Sequence, residues 1–226
     1  MKMSNVRAGA YGWCHSAWLS DFYPDDLPVG KEDDWRLAYY SNEFDTVLVP
    51  ADYWLDESGR TQFVDCEQWL EDVNDDFQFN VECRASMFVQ LSFDEIAGQL
   101  KKLQTKLSAL VVPEDWSKVP KLLQDQFCDL ADLLMVDVFT DNRPVDTDSD
   151  LPLKNIWRQK GQYGSNLAVF DVDLIDLRLA RTIVDDFMSQ ASEMEQNNHE
   201  ATVIVSHPEL RASNLSQFRK VLELMG

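Results

Sequence analysis

The sequence is short of basic residues, and this shortage excludes several kinds of partner. Lys and Arg together number 20 against 40 Asp and Glu, so the formal net charge is −20 over 226 residues. Proteins that bind a nucleic-acid backbone or an anionic membrane surface carry a basic footprint that this chain lacks. The acidic composition favours solubility and cationic or neutral partners instead.

Several short motifs are also missing. Only eight glycines are present, with no Gly-x-Gly-x-x-Gly and no Gly-x-Ser-x-Gly pattern, so neither a backbone phosphate cradle nor a nucleophile elbow is expected. No His-Glu-x-x-His pair occurs. The four cysteines, Cys14, Cys66, Cys83 and Cys128, form no Cys-x-x-Cys pair, which predicts reduced and mostly buried thiols.

Long hydrophobic runs are absent as well. No run reaches the roughly 18 apolar residues of a membrane span, and the N-terminal residues show no signal-peptide pattern. We therefore expect a cytoplasmic protein with no membrane segment. What the chain does have is 45% apolar and 11% aromatic residues, which excludes a disordered acidic tail and provides for a sizeable core.

Short apolar runs alternate with amphipathic stretches along the chain, a pattern typical of βαβ units and a parallel sheet. The sequence predicts seven strands: Val6–Gly12, Thr46–Val49, Phe77–Cys83, Ser108–Val112, Leu133–Val138, Leu167–Val172 and Ala201–Val205. Helices are expected between them. Ser92 and Glu95 form a capping box, while Asp176 and Ser213 are predicted to cap the last two helices. The acidic segment Thr140–Pro152 is interpreted as a solvated loop.

The N-terminal residues carry a recognisable motif. Residues 9–18 read GAYGWCHSAW, and the triplet Phe22-Tyr23-Pro24 follows. This motif resembles the opening of the YecE-like family, a domain-of-unknown-function family numbered seventy-two. The segments LAYYSNEFDTV at residues 37–47 and Phe77-x-Phe79-x-Val81 with Arg84 are similar to the family's first helix, second strand and third strand.

The resemblance implies an α/β fold, a TIM-barrel-like parallel (β/α) barrel of unassigned activity that spans residues 1–226 as one domain. Since the fold usually takes roughly 250 residues and only seven strands are visible, we expect an incomplete or irregular C-terminal half. Leu48 and Pro50 stand where the family usually has Glu and Asn, and Glu82 stands where it has Lys. The family's later Arg-x-His-Gly and Phe-Asn-Asn motifs are absent, which indicates a divergent member.

A barrel of this kind works at the carboxyl ends of its strands, where the βα loops converge. His15, Glu82 and His207 are candidate catalytic residues there, because each can accept a proton. Candidate substrate-binding residues are Arg84, as a clamp for an anionic group, and the aromatic Trp13 and Tyr53. An error of one residue in strand register would replace Glu82 and Arg84 by Cys83.

Two functions remain open at this point. One is a hydrolase or lyase that acts on a small polar or anionic substrate at the carboxyl face of the barrel. The other is a degenerate, non-catalytic acidic module that docks a basic protein partner. No cofactor is expected. The alternative is a divalent metal held by strand-end carboxylates together with His15 and His207; those carboxylates are Asp52, Glu82, Glu114, Asp137, Asp171 and Asp173.

The charge balance makes a direct prediction about nucleic acids. The protein should show negligible affinity for DNA or RNA, because its acidic surface repels phosphates instead of releasing their counterions. An electrophoretic mobility-shift assay with micromolar protein at about 150 mM salt, where screening is already substantial, checks this expectation. A shifted band under these conditions would contradict it.

Overall fold

The computed structural model describes residues 6–28, 35–54, 66–103, 105–140, 153–154, 157–160, 163, 166–194 and 201–225. A single sheet forms the centre of the fold. Its strands are β1 (Val6–Tyr11), β2 (Thr46–Val49), β3 (Gln78–Glu82), β4 (Leu107–Val112), β5 (Asp137–Thr140), β6 (Leu153–Lys154), β7 (Trp157–Lys160), β8 (Leu167–Phe170) and β9 (Ala201–Val205).

The sheet is ordered β6-β8-β9-β1-β2-β3-β4-β5-β7. The seven strands from β8 to β5 are parallel, whereas β6 and β7 run antiparallel to β8 and β5 at the two edges. Only two residues separate β6 from β7 in the sequence. The two edges are therefore joined within about 11 Å, the reach of three Cα–Cα steps. The result is a nearly closed, TIM-barrel-like fold, as predicted.

The helices lie between the parallel strands. They are α1 (Trp18–Asp21), α2 (Arg36–Glu43), α3 (Cys66–Glu71), α4 (Met87–Gln90), α5 (Phe93–Lys102), α6 (Lys121–Leu134), α7 (Leu177–Met194) and α8 (Ala212–Met225), with 3₁₀ turns at Ala51–Trp54 and Trp116–Lys118. The capping box of Ser92 and Glu95 is present at the start of α5. Asp176 caps α7, since its Oδ1 accepts from the N–H groups of Arg178 and Leu179.

The predicted strand Leu133–Val138 is wrong in its first half. Helix α6 continues to Leu134, Met135 turns the chain with a left-handed φ of 60°, and β5 begins only at Asp137. The apolar run at this point combines the end of an amphipathic helix, where Leu134 is buried and Leu133 and Met135 are exposed, with the start of the strand that follows. Asp137 consequently lies at the amino end of β5 and not at its carboxyl end.

Two further predictions need a comment. Ser213 does not precede α8 as a cap, because that helix already begins at Ala212. Residues 141–152 of the predicted acidic loop lie outside the described residues. No helix among the described residues combines the length and the apolarity needed to cross a membrane.

Strand register decides which side chains face the inside of the barrel. Alternate residues of a strand point to opposite sides, and residues paired across the sheet point to the same side. Tyr11 pairs with Leu48, Leu48 with Asn80, and Glu82 with Val111. These residues share their side with one small apolar cluster, made of Leu48, Ala109, Val111, Phe139, Leu167, Val169 and Ile204. The other side packs beneath the helices in a much larger cluster.

The close approach of β1 to β2 predicts that replacing one glycine, Gly9, strongly lowers the stability of the fold. A Cβ added at Gly9 would overlap the backbone carbonyl of Thr46, whereas one added at Gly98 in α5 meets nothing within 4 Å. Gly9→Ala should lower the free energy of unfolding by about 2 kcal/mol or more. The control Gly98→Ala should raise it by about 0.5–1 kcal/mol, because glycine is unfavourable inside a helix. Urea unfolding measures both values, and equal effects would contradict the close packing of β1 on β2.

Candidate functional site

Four polar residues meet at the carboxyl ends of β1, β2 and β3. Tyr11 ends β1, Glu82 ends β3, and Asp52 lies in the 3₁₀ turn that follows β2. Arg84 follows Glu82 by two residues. Parallel strands bring their carboxyl ends to one edge of the barrel, so residues far apart in the sequence become neighbours. We call these four residues the mouth cluster.

Glu82 is the centre of the mouth cluster. Its Oε2 accepts a hydrogen bond from the Tyr11 hydroxyl at 2.6 Å, and its Oε1 accepts from Arg84 Nε at 3.1 Å. Glu82 is only 5% exposed. The 2.6 Å separation is that of a charge-assisted O–H···O⁻ bond. Each oxygen of this buried carboxylate therefore has a protein partner.

Arg84 is shared between two carboxylates. Its Nη1 lies 3.1 Å from Asp52 Oδ1, while its Nε holds Glu82. Burial lowers the pKa of Arg84, but the charges of Glu82 and Asp52 outweigh burial and raise it. With two carboxylates and one guanidinium, the mouth cluster is net negative. The role of Arg84 as a clamp for an anionic group stays a prediction.

Tyr11 is a site residue that sequence reasoning missed. Burial first, and then its hydrogen bond to Glu82, raise the pKa of the Tyr11 hydroxyl well above its usual value. Tyr11 therefore stays protonated and acts as a donor. The signal that could have found it is its position as the last inward residue of the first strand, but its partner lies 71 residues away.

The two candidate histidines lie at the same end of the barrel, since His15 follows β1, His207 follows β9, and these parallel strands are neighbours. The His15 ring packs 4.4 Å from the Trp18 ring between centroids, and its Nε2 has no hydrogen-bond partner. His207 Nδ1 accepts from the N–H of Glu209 at 3.2 Å. Among the hydrogen bonds and ion pairs of the described residues, neither histidine contacts Glu82 or Arg84. Their catalytic roles stay predictions.

The aromatic candidates are engaged in packing. Trp13 is buried and meets Tyr53 and Trp69 edge to face, with ring centroids 4.6 and 5.6 Å apart. Gly12 precedes it with a φ of +75°, and Trp13 belongs to the large cluster beneath the helices. This burial favours a packing role for Trp13, while Tyr53 is half-buried beside it. Ligand binding by either residue stays a prediction.

Glu114 adds a further carboxylate after β4. Its Oε1 accepts from the N–H of Ala85 at 2.9 Å, and its Oε2 is buried with no hydrogen-bond partner. Leaving such an acceptor unpaired costs about 1–3 kcal/mol. Within the described residues, no group of three or more His, Cys, Asp or Glu side chains is placed to hold a metal ion.

Comparison with known proteins gives the following relationships. The model of a family described as "Protein of unknown function DUF72" matches residues 7–121. A DUF72 family protein from Thermotoga maritima is 14% identical with a TM-score of 0.58, covering 97% of this chain and 99% of its own. A DUF72 family protein from Enterococcus faecalis is 12% identical with a TM-score of 0.45, covering 99% of each chain. No curated protein matches this chain.

The ion pair of Glu82 predicts the effect of removing Arg84. Arg84→Ala leaves a buried carboxylate without its cation, and this should cost about 2 kcal/mol, less than for a fully buried pair because Arg84 is 34% exposed. Urea unfolding of Arg84→Ala, Glu82→Gln and the double variant measures the coupling. Glu82→Gln should rescue much of the loss, because a neutral amide needs no cation. Additive losses would refute the coupling.

The burial of the His15 ring predicts that the stability of the protein depends on pH. Burial lowers the pKa of His15, so folding favours the neutral ring. The contribution of His15 is therefore complete above about pH 6.5, the ordinary pKa of histidine, and is lost as the pH falls towards the folded value. Thermal melts between pH 8 and pH 5 should show a steeper loss in the natural protein than in His15→Phe. Parallel curves would contradict this expectation.

Proposed function

Because the chain belongs to the DUF72 family, which is the YecE-like family, and shares its barrel, we propose that its function lies at the mouth cluster. We propose a hydrolase or lyase that acts on a small polar substrate, with Glu82 as the group that accepts a proton. The observation that carries this proposal is the inward-facing, buried carboxylate of Glu82 at the carboxyl end of the barrel. Catalytic groups of such barrels come from these strand ends.

Glu82 retains capacity for a ligand. An ionised carboxylate offers about four lone-pair sites, and the Tyr11 hydroxyl and Arg84 Nε occupy two of them. The remaining sites can accept a proton from a bound water in hydrolysis, or from a substrate C–H or O–H in elimination. Tyr11 and Arg84 hold the carboxylate in one orientation, so they are positioning residues in this proposal.

The free-energy cost of burying the Glu82 carboxylate supports a role for this residue beyond packing. Bringing a carboxylate out of water costs several kcal/mol, and a hydrophobic residue of similar volume is often as stable in the place of a buried ion pair. Glu82 pairs across the sheet with Val111, on the same side as an apolar cluster that a Leu or Met would extend. A charged group at such a position is typical of a ligand site.

The charge of the mouth cluster sets the class of ligand. Asp52 and Glu82 together outweigh Arg84 by one negative charge, and Asp52 is largely exposed. A substrate with an amine, or one rich in hydroxyl donors, would be attracted, while a phosphate or carboxylate would meet repulsion. We also propose that the chain is a divergent member of its family, because Leu48 and Glu82 depart from the family pattern at positions inside the barrel.

Thermal shift with simple probes tests the proposal. Ethanolamine and methylguanidine should raise the Tm of the natural protein, and at ten times Kd the stabilisation should be about 1.4 kcal/mol. Acetate and phosphate should have no such effect. Glu82→Gln should abolish the response, while the control Glu223→Gln, an exposed acid in α8 paired with Arg219, should keep it.

Two results would overturn the proposal. One is a response to the cationic probes that persists unchanged in Glu82→Gln. The other is stabilisation by phosphate or acetate with none by the amines, which would return Arg84 to the role of an anion clamp.

A further inference from the structure

Exposed apolar side chains are concentrated at the carboxyl end of the barrel. Nine large apolar residues are exposed among those described, and six of them follow the carboxyl end of a strand: Leu19, Trp35, Val89, Leu122, Ile175 and Leu179. Val89 in α4 is 82% exposed, and Leu122 in the first turn of α6 is 72% exposed. These two follow the neighbouring strands β3 and β4. With the partly buried Phe88 and Trp116 they form what we call the rim patch.

The rim patch has a rigid base. The Phe88 ring meets the fully buried Phe127 edge to face with centroids 4.9 Å apart, and the Trp116 ring lies 6.1 Å from the same Phe127. Val89 is the chain neighbour of Phe88, and Leu122 begins the helix that carries Phe127. The exposed side chains are therefore held on packed elements, as the hot spots of protein interfaces usually are.

The surroundings of the rim patch are negatively charged. Outside the mouth cluster, the turns and helix starts that follow β3 and β4 contribute five described acids against two bases. Each base is already paired: Lys118 with Asp115, and Lys121 with Asp125. The five acids are Asp94, Glu95, Glu114, Asp115 and Asp125. Among these described residues, no base is left to balance the three excess negative charges.

The composition of the sequence shows the same bias. Six stretches of the chain lead from the carboxyl end of a parallel strand to a following helix: β1 to α2, β2 to α3, β3 to α5, β4 to α6, β8 to α7 and β9 to α8. Together they contain 70 residues. These stretches hold 16 acidic and 5 basic residues, a net charge of −11 out of the −20 of the chain. Less than a third of the sequence therefore carries more than half of its net charge.

We propose that the rim patch docks a basic, amphipathic segment of another protein, with apolar side chains on Val89 and Leu122 and Lys or Arg side chains on the surrounding acids. A second copy of this chain would bring its own −20 charge to the same place, which disfavours self-association. A nucleic acid would meet repulsion as well. This inference does not rest on the proposed function, because no residue of the mouth cluster belongs to the rim patch.

A defined peptide tests the docking surface. A fluorescein-labelled helical 14-mer of Leu and Lys should bind with micromolar affinity, the range of small transient interfaces, in fluorescence anisotropy at about 150 mM salt. The same peptide with Glu for Lys, or with Ser for Leu, should bind at least tenfold more weakly. The variant Val89→Ser/Leu122→Ser should lose at least tenfold in affinity with an unchanged Tm.

The matched control is Met135→Ser/Leu224→Ser, since these two exposed residues lie at the opposite end of the barrel. Its affinity should stay within twofold, and so should that of Glu82→Gln, which separates this test from that of the proposed function. Equal binding of the Ser/Lys peptide, or an equal loss in the control pair, would overturn the proposal in favour of unspecific charge attraction. Concentration-dependent dimerisation abolished by Val89→Ser/Leu122→Ser would assign the rim patch to a second copy.

Discussion

The register of the parallel strands is the constraint on which the rest of this barrel depends. Side chains alternate along each strand, so one set of pairings decides at once which residues face the interior. Tyr11, Leu48 and Asn80 are aligned across three strands, and Glu82 is aligned with Val111 on the next. A shift of one residue in β3 would turn Glu82 towards the helices and bring Cys83 inside. The hydrogen bonds of Glu82 to Tyr11 and Arg84 are consistent with a single register only.

Much of the fold can be predicted from the sequence, because strands buried on both sides are apolar throughout and helices are not. The parallel strands are predicted from the sequence for this reason. The resemblance carried by the N-terminal motif then predicts that they form a barrel. The end of α6 was misplaced because Leu133 and Leu134 continue into a strand with no polar break. Strands β6 and β7 are not predicted, since β6 has only two residues and β7 reads Trp-Arg-Gln-Lys, which contains no apolar run.

The candidate site was predictable only in part. Arg84 lies two positions after Glu82, so alternation places both on one side, and they do lie in contact. The contribution of Tyr11 depends on a pairing across 71 residues that no local pattern reveals. The engagement of Arg84 with Asp52 is equally non-local. The charge balance within the cluster therefore required the three-dimensional arrangement.

The antiparallel strands β6 and β7 give the barrel a seam. Strands β1 and β9 pair over five residues, from Val6–Ala201 to Ala10–Val205. Among the described residues, β6 pairs with β8 through Leu153 and Lys154 only, a ladder as short as that of β1 with β2. Few backbone hydrogen bonds therefore have to break for the cylinder to open at this place. Amide protons along the seam should exchange with solvent sooner than those of β1.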